Sequence, residues 1–79
     1  MRLRDLREDG DYTQSHLAQL LNIRQNTYSQ YENGQRQLPI DVLIRLAEFF
    51  QTSTDYILEV TDEKRPYPKR RRGRDESGR

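Results

Sequence analysis

The sequence predicts an all-α fold: five short helices in one compact domain, residues 1–60, followed by a disordered basic tail, residues 61–79. Three observations predict it. Apolar side chains recur at three- and four-residue spacing as far as Leu58. Residues that start or stop helices, Thr13, Ser53, Gly10, Asn22 and Gly34, stand in the gaps between the apolar runs. After Asp62 the stretch EKRPYPKRRRGRDESGR drops that spacing and gains proline, glycine and charge. The chain has 79 residues and is 32% apolar. That length holds one domain at most, and an apolar share below the roughly 45–50% of globular chains implies that part of the chain is unfolded.

Taken in order, Leu3 and Leu6 with Arg7 give a short first helix, and Gly10 is expected to end it in the left-handed conformation that costs glycine nothing. Thr13 is a good N-cap for a second helix reaching about Leu21. Its Leu17, Leu20 and Leu21 fall at helical spacing, and Ala18 permits close approach of another helix. Asn22 stands where the chain must turn sharply, and asparagine is the non-glycine residue that best tolerates positive φ. A third helix is expected from about Gln25 to Asn33, closed by Gly34. After the loop QRQLP, Ile40, Leu43, Ile44, Leu46, Ala47 and Phe50 read as the buried stripe of a fourth. Ser53 caps a short fifth helix. Asp55 in its first turn favours the helix dipole, and Tyr56, Ile57 and Leu58 are available to close the core.

The third helix carries the chemistry. On a wheel of about 100° per residue, Gln25, Asn26, Ser29, Gln30 and Asn33 fall within an arc of roughly 140°, with Tyr28 and Tyr31 opposite. A merely solvated face usually carries lysine and glutamate, which form helices better than asparagine or serine. An amide offers a donor and an acceptor in one plane, the arrangement that pairs with adenine N6 and N7 in the DNA major groove. Thr27 and Ser29 add a methyl or hydroxyl contact. A short turn before this helix holds it outward, as a helix-turn-helix needs to place N-terminal residues in that groove.

TQSHLAQLLNIRQNTYSQYENG, QRQLPIDVLIRLAEFF and STDYIL together resemble the Cro and phage-repressor family of helix-turn-helix domains, often called the XRE type. The resemblance runs from about Leu3 to Leu58 and rests on TQ, LA, YENG and LA occurring together in order. It implies a five-helix, lambda-repressor-like domain that binds double-stranded operator DNA, usually as a two-fold homodimer on a palindrome. It further implies that Gln14 binds a phosphate, that Gln25, Asn26 and Gln30 meet base edges, and that Asn33 and Arg36 hold the backbone beyond the third helix. Arg7 matches a family arginine that pairs with the acid matching Glu32, a structural ion pair. Three residues depart from the pattern. Arg24 stands where serine or threonine is usual, which costs the third helix a cap but places a cation near phosphate. His16 replaces a capping acid, and Asn22 a turn glycine.

Charge is uneven. Residues 1–60 carry six basic and nine acidic side chains, net −3, and residues 61–79 eight and four, net +4. An anionic partner must therefore be met by local patches or by the tail. The run Lys69 to Arg72 reads either as a solubilising tail or as a flexible arm making nonspecific phosphate contacts. With no cysteine, one histidine, no paired catalytic carboxylates and no phosphate-cradling glycine loop, no enzyme, metal or cofactor site is expected. No small-molecule ligand is evident. No apolar run approaches the ~18 residues that cross a bilayer, and MRLRDLRED is no signal peptide, so a cytoplasmic protein associated with the bacterial or phage nucleoid is expected. The expected function is a sequence-specific transcriptional regulator, a repressor rather than an activator. The alternative is a protein-interaction module on the same fold, an antitoxin-like or anti-repressor partner, favoured by the acidic body.

Overall fold

The computed structural model describes residues 1–68. Among these, five helices follow one another: α1 Leu3–Asp9, α2 Gln14–Leu21, α3 Gln25–Glu32, α4 Ile40–Phe49 and α5 Thr54–Ile57. Local chemistry sets where they start. Thr13 Oγ1 accepts from His16 N–H and Ser53 Oγ from Tyr56 N–H, each at 3.0 Å, so α2 and α5 have side-chain caps. Arg24 gives α3 none.

All five end alike. Asp11, Asn22, Gly34, Gln51 and Glu59, one after each helix, have φ of 61°, 57°, 76°, 56° and 65°. The amide that follows each then reaches back over the last turn: Tyr12 N–H to Arg7 O, Ile23 to Ala18, Gln35 to Gln30, Thr52 to Ala47 and Val60 to Asp55, at 2.8 to 3.0 Å. This closes the Schellman arrangement, in which a left-handed residue lets two amides satisfy orphan carbonyls. Asn22 adopts the positive φ that its turn position predicts. Gly10 does not adopt the left-handed conformation: its φ is −89°, and Asp11 supplies the left-handed turn. Space explains the glycine, because a Cβ there would lie 2.6 Å from the Tyr12 ring.

The core takes Leu3 and Leu6 from α1, Leu17, Ala18 and Leu21 from α2, Tyr28 from α3, Leu43, Leu46 and Ala47 from α4, and Ile57 from α5. Tyr12, Phe49 and Phe50 form an aromatic edge to it, with the Tyr12 and Phe49 rings 5.0 Å apart and edge-on. The stripe expected on α4 is only partly buried. Ile40 is 76% exposed and Ile44 45%, and Phe50 lies past the helix end. Leu43, Leu46, Ala47 and Phe50 share an arc of about 100°, and Ile44 lies about 110° from its centre, so one row faces inward and the other cannot. Leu58 is likewise half exposed, leaving Ile57 with part of Tyr56 to close the core.

Residues 61–68 form no helix and lie along the body. Arg2 Nη1 donates to Tyr56 O at 2.8 Å and Thr61 O at 2.7 Å, its guanidinium 4.1 Å above the Tyr56 ring. Thr52 Oγ1, itself buried, donates to Lys64 O at 2.6 Å, and the Tyr67 hydroxyl donates to Asp55 at 2.8 Å. The expectations for residues 69–79, the Lys69 to Arg72 run included, lie outside the described residues. No helix among the described residues is long and apolar enough to cross a membrane.

Candidate nucleic-acid interface

Helices α2 and α3 pack on each other across a turn of three residues, in which left-handed Asn22 reverses the chain and Arg24, in extended backbone, starts α3. The two faces of α3 separate as the wheel predicts. Tyr28 is fully buried and Tyr31 nearly so, while Gln25, Asn26 and Asn33 are exposed and Thr27, Ser29 and Gln30 partly so. The tyrosines hold the helix from beneath and leave the amides outside. At its start, exposed Arg24 stands beside Gln25 and Asn26, whose side chains make no hydrogen bond among the described residues.

The far end of the face is wired. Gln30 Oε1 accepts from Arg36 Nε at 2.9 Å. Asn33 Oδ1 accepts from Arg4 Nη2 at 2.9 Å, and Asn33 Nδ2 donates to Ser29 Oγ at 3.4 Å. Arg4, on α1, is a functional candidate that the sequence reading missed. The signal available for it was the three-residue spacing from Arg7, which puts both arginines on one face of α1.

Behind the face lies one carboxylate. The Glu32 side chain has no solvent exposure and accepts four hydrogen bonds: Arg7 Nε at 2.6 Å, Arg7 Nη2 at 3.3 Å, the Tyr28 hydroxyl at 2.7 Å and Gln14 Nε2 at 3.1 Å. Arg4 Nε is 3.6 Å away. Burial pushes the Glu32 carboxyl up, but the bonds from Arg7, Tyr28 and Gln14 outweigh it and hold the group below the usual carboxylate range. Burial, then the hydrogen bond to Glu32, push the Tyr28 hydroxyl well above its ordinary value. Arg7 also donates to Tyr12 O at 3.0 Å, so one guanidinium ties α1, the loop after it and α3. The Gln14 amide, given to a phosphate by the resemblance, is thus turned toward Glu32 through its nitrogen. Two arginines meet one carboxylate here. Arg7 is 14% exposed and pairs with Glu32 and, at 3.9 Å, with Glu8, while half-exposed Arg4 lies farther from Glu32 and beside Asn33.

An outer helix with a polar face, braced by a second helix across a short left-handed turn, defines a helix-turn-helix protein. The chain belongs to the helix-turn-helix family, whose model matches residues 3–57, in keeping with the Cro and phage-repressor resemblance. It is 37% identical over 70 residues to the uncharacterized HTH-type transcriptional regulator YobD of Bacillus subtilis (strain 168), covering 89% of this chain and 62% of that protein. Over 57 residues it is 40% identical to the HTH-type transcriptional regulator ImmR of the same organism, covering 72% of this chain and 45% of ImmR. Over 67 residues it is 34% identical to AnsR, also an HTH-type transcriptional regulator there, covering 85% and 58%. The chain thus spans between 45% and 62% of the length of these relatives. No solved structure matches it.

Proposed function

We propose that this chain is the DNA-binding part of a transcriptional regulator, a repressor that occupies a palindromic operator as a homodimer and acts in the cytoplasm at the nucleoid. One observation carries this: an α3 whose tyrosines are buried while its amides and hydroxyls line the opposite, outer side behind a fixed turn. Its amides suit base edges and its flanking cations suit phosphate. Gln25, Asn26, Thr27, Ser29 and Gln30 read bases. Gln14, Arg24, Asn33 and Arg36 hold the backbone, with Arg4 beside Asn33. The relatives named as transcriptional regulators support the same class. One such domain makes few contacts, so two copies on half-sites about one helical turn apart give useful affinity. Leu58 and Val60, 47% and 71% exposed at the end of α5, are the surface proposed to join them.

The test is selection from a random duplex library at near-physiological salt. An enriched palindrome with half-sites one turn apart is the expected result. A folded, helical sample that enriches nothing counts against DNA reading. It favours the second reading, a protein-interaction module, which the net −3 over residues 1–60 and the exposed end of α5 support.

A further inference from the structure

We infer that Arg36 decides what Gln30 reads, by turning the Gln30 amide so that only its NH2 group faces outward and selecting guanine rather than adenine at the base pair it meets. This rests on the DNA-reading function proposed above and deepens it. Arg36 acts here as a positioning residue, through Gln30.

A glutamine that recognises adenine uses both ends of its amide, the oxygen taking a proton from N6 and the nitrogen donating to N7. The Gln30 amide oxygen is already engaged by a cation, which leaves it a poorer acceptor for a base. Gln30 Oε1 accepts from Arg36 Nε at 2.9 Å, a charge-assisted bond. The backbone builds this contact. Gly34, at φ 76°, reverses the chain, and the Gln30 main-chain oxygen then accepts from both Gln35 N–H at 2.9 Å and Arg36 N–H at 3.3 Å. The start of the Arg36 side chain is thereby held over the end of α3, and its guanidinium returns to the amide of the residue whose carbonyl holds its own main chain.

The outward edge of the pair is therefore the Gln30 Nε2 hydrogens and the remaining N–H groups of Arg36, all donors and carrying positive charge. Adenine presents the N6 amino donor beside N7, which sets donor against donor. Guanine presents O6 and N7, two acceptors that suit the pair. Arg36 is exposed, and its Nη groups make no hydrogen bond among the described residues, so they reach a phosphate while Nε stays on Gln30. A phosphate held there fixes the amide more firmly. Gln25 and Asn26 carry no such partner among the described residues, and adenine recognition falls to them.

The experiment is library selection with the chain itself and with the Gln30→Ala and Arg36→Ala variants, each checked for helicity. Gln30→Ala identifies the base position concerned as the one whose preference disappears. At that position the unaltered chain is expected to prefer guanine over adenine by about 5- to 150-fold, the range of one good bidentate contact. Arg36→Ala is expected to bring adenine there to at least parity with guanine while preferences at other positions persist. Adenine preferred by the unaltered chain at that position overturns the inference. So does an Arg36→Ala variant that binds every sequence more weakly with the same base preference, or a Gln30→Ala variant that loses no position. If the unaltered chain, folded, enriches no sequence, the DNA-reading function fails, and this inference with it.

Discussion

Glu32 is where most of this small domain's polar energetics meet. A carboxylate removed from water is tolerated because Arg7, Tyr28 and Gln14 bond to it, so removing one partner leaves its charge less well satisfied. Breaking a buried pair costs about 3–5 kcal/mol, and Arg7→Ala belongs at the lower end because Arg7 keeps some contact with water. Chemical denaturation of the variant, followed by circular dichroism, should show that loss. Tyr28→Phe keeps the ring and deletes one donor to a charged acceptor, and should cost about 1.5–3 kcal/mol. The Glu32 carboxyl is held below its unfolded value of about 4.3, so the charged form is favoured by folding. Its contribution is fully present above that value and is lost as pH falls through the lower folded one. Melting curves from pH 7 downward should therefore show Glu32→Gln less stable than the unaltered chain at neutral pH, with the difference shrinking below about pH 4. A constant difference would mean that the charge of Glu32 adds nothing to the fold.

Helix ends decide a second part of the stability. Four of the five left-handed positions that close helices hold a residue with a side chain, and only Gly34 and Asn22 are types such a position favours. Gln51 and Glu59, ordinary side chains at φ 56° and 65°, bear the strain most plainly. Gln51→Gly should raise stability by up to about 1 kcal/mol, whereas Gly34→Ala should lower it by about 1 kcal/mol with no clash to blame, since nothing lies within 4 Å of a Cβ built there. Helix starts offer a trade. Arg24 leaves α3 uncapped, so Arg24→Ser should gain about 1 kcal/mol in stability and lose DNA affinity by removing a cation beside Gln25. Melting and binding measured on the same preparation test both halves at once. A rise in melting temperature with unchanged affinity would remove Arg24 from the interface.

Across the whole molecule, an acidic body has to approach a polyanion. With residues 1–60 at net −3, the proposed function needs local cations or the tail to meet phosphate, and the structure gathers Arg4, Arg24 and Arg36 along the exposed side and ends of α3. Three such contacts imply that log affinity falls with log salt at a slope of about −2.7 per copy of the chain. Arg4→Gln should flatten that slope by about 0.9 and weaken all sequences alike, because the contact proposed for Arg4 is with the backbone. An unchanged slope with a lowered melting temperature would leave Arg4 a purely structural partner of Glu32.

Much of this organisation is local and could be read along the chain. Thr13 and Ser53 announce helix starts, Asn22 a left-handed turn, and the tyrosines of α3 a buried side opposite an amide face, because capping, turn chemistry and a 3.6-residue period act within a few residues. The Arg7 and Glu32 pairing came from a family resemblance, since nothing in a spacing of 25 residues announces a contact. Beyond the reach of such rules lay which row of α4 turns inward, the crowding of Gly10 by Tyr12, the burial of Glu32 under three donor residues, and the place of Arg4 beside Asn33. Each depends on where separate elements come to rest against one another. A sequence specifies what each segment prefers, but which groups lose their water and which side chains meet is settled when the helices pack.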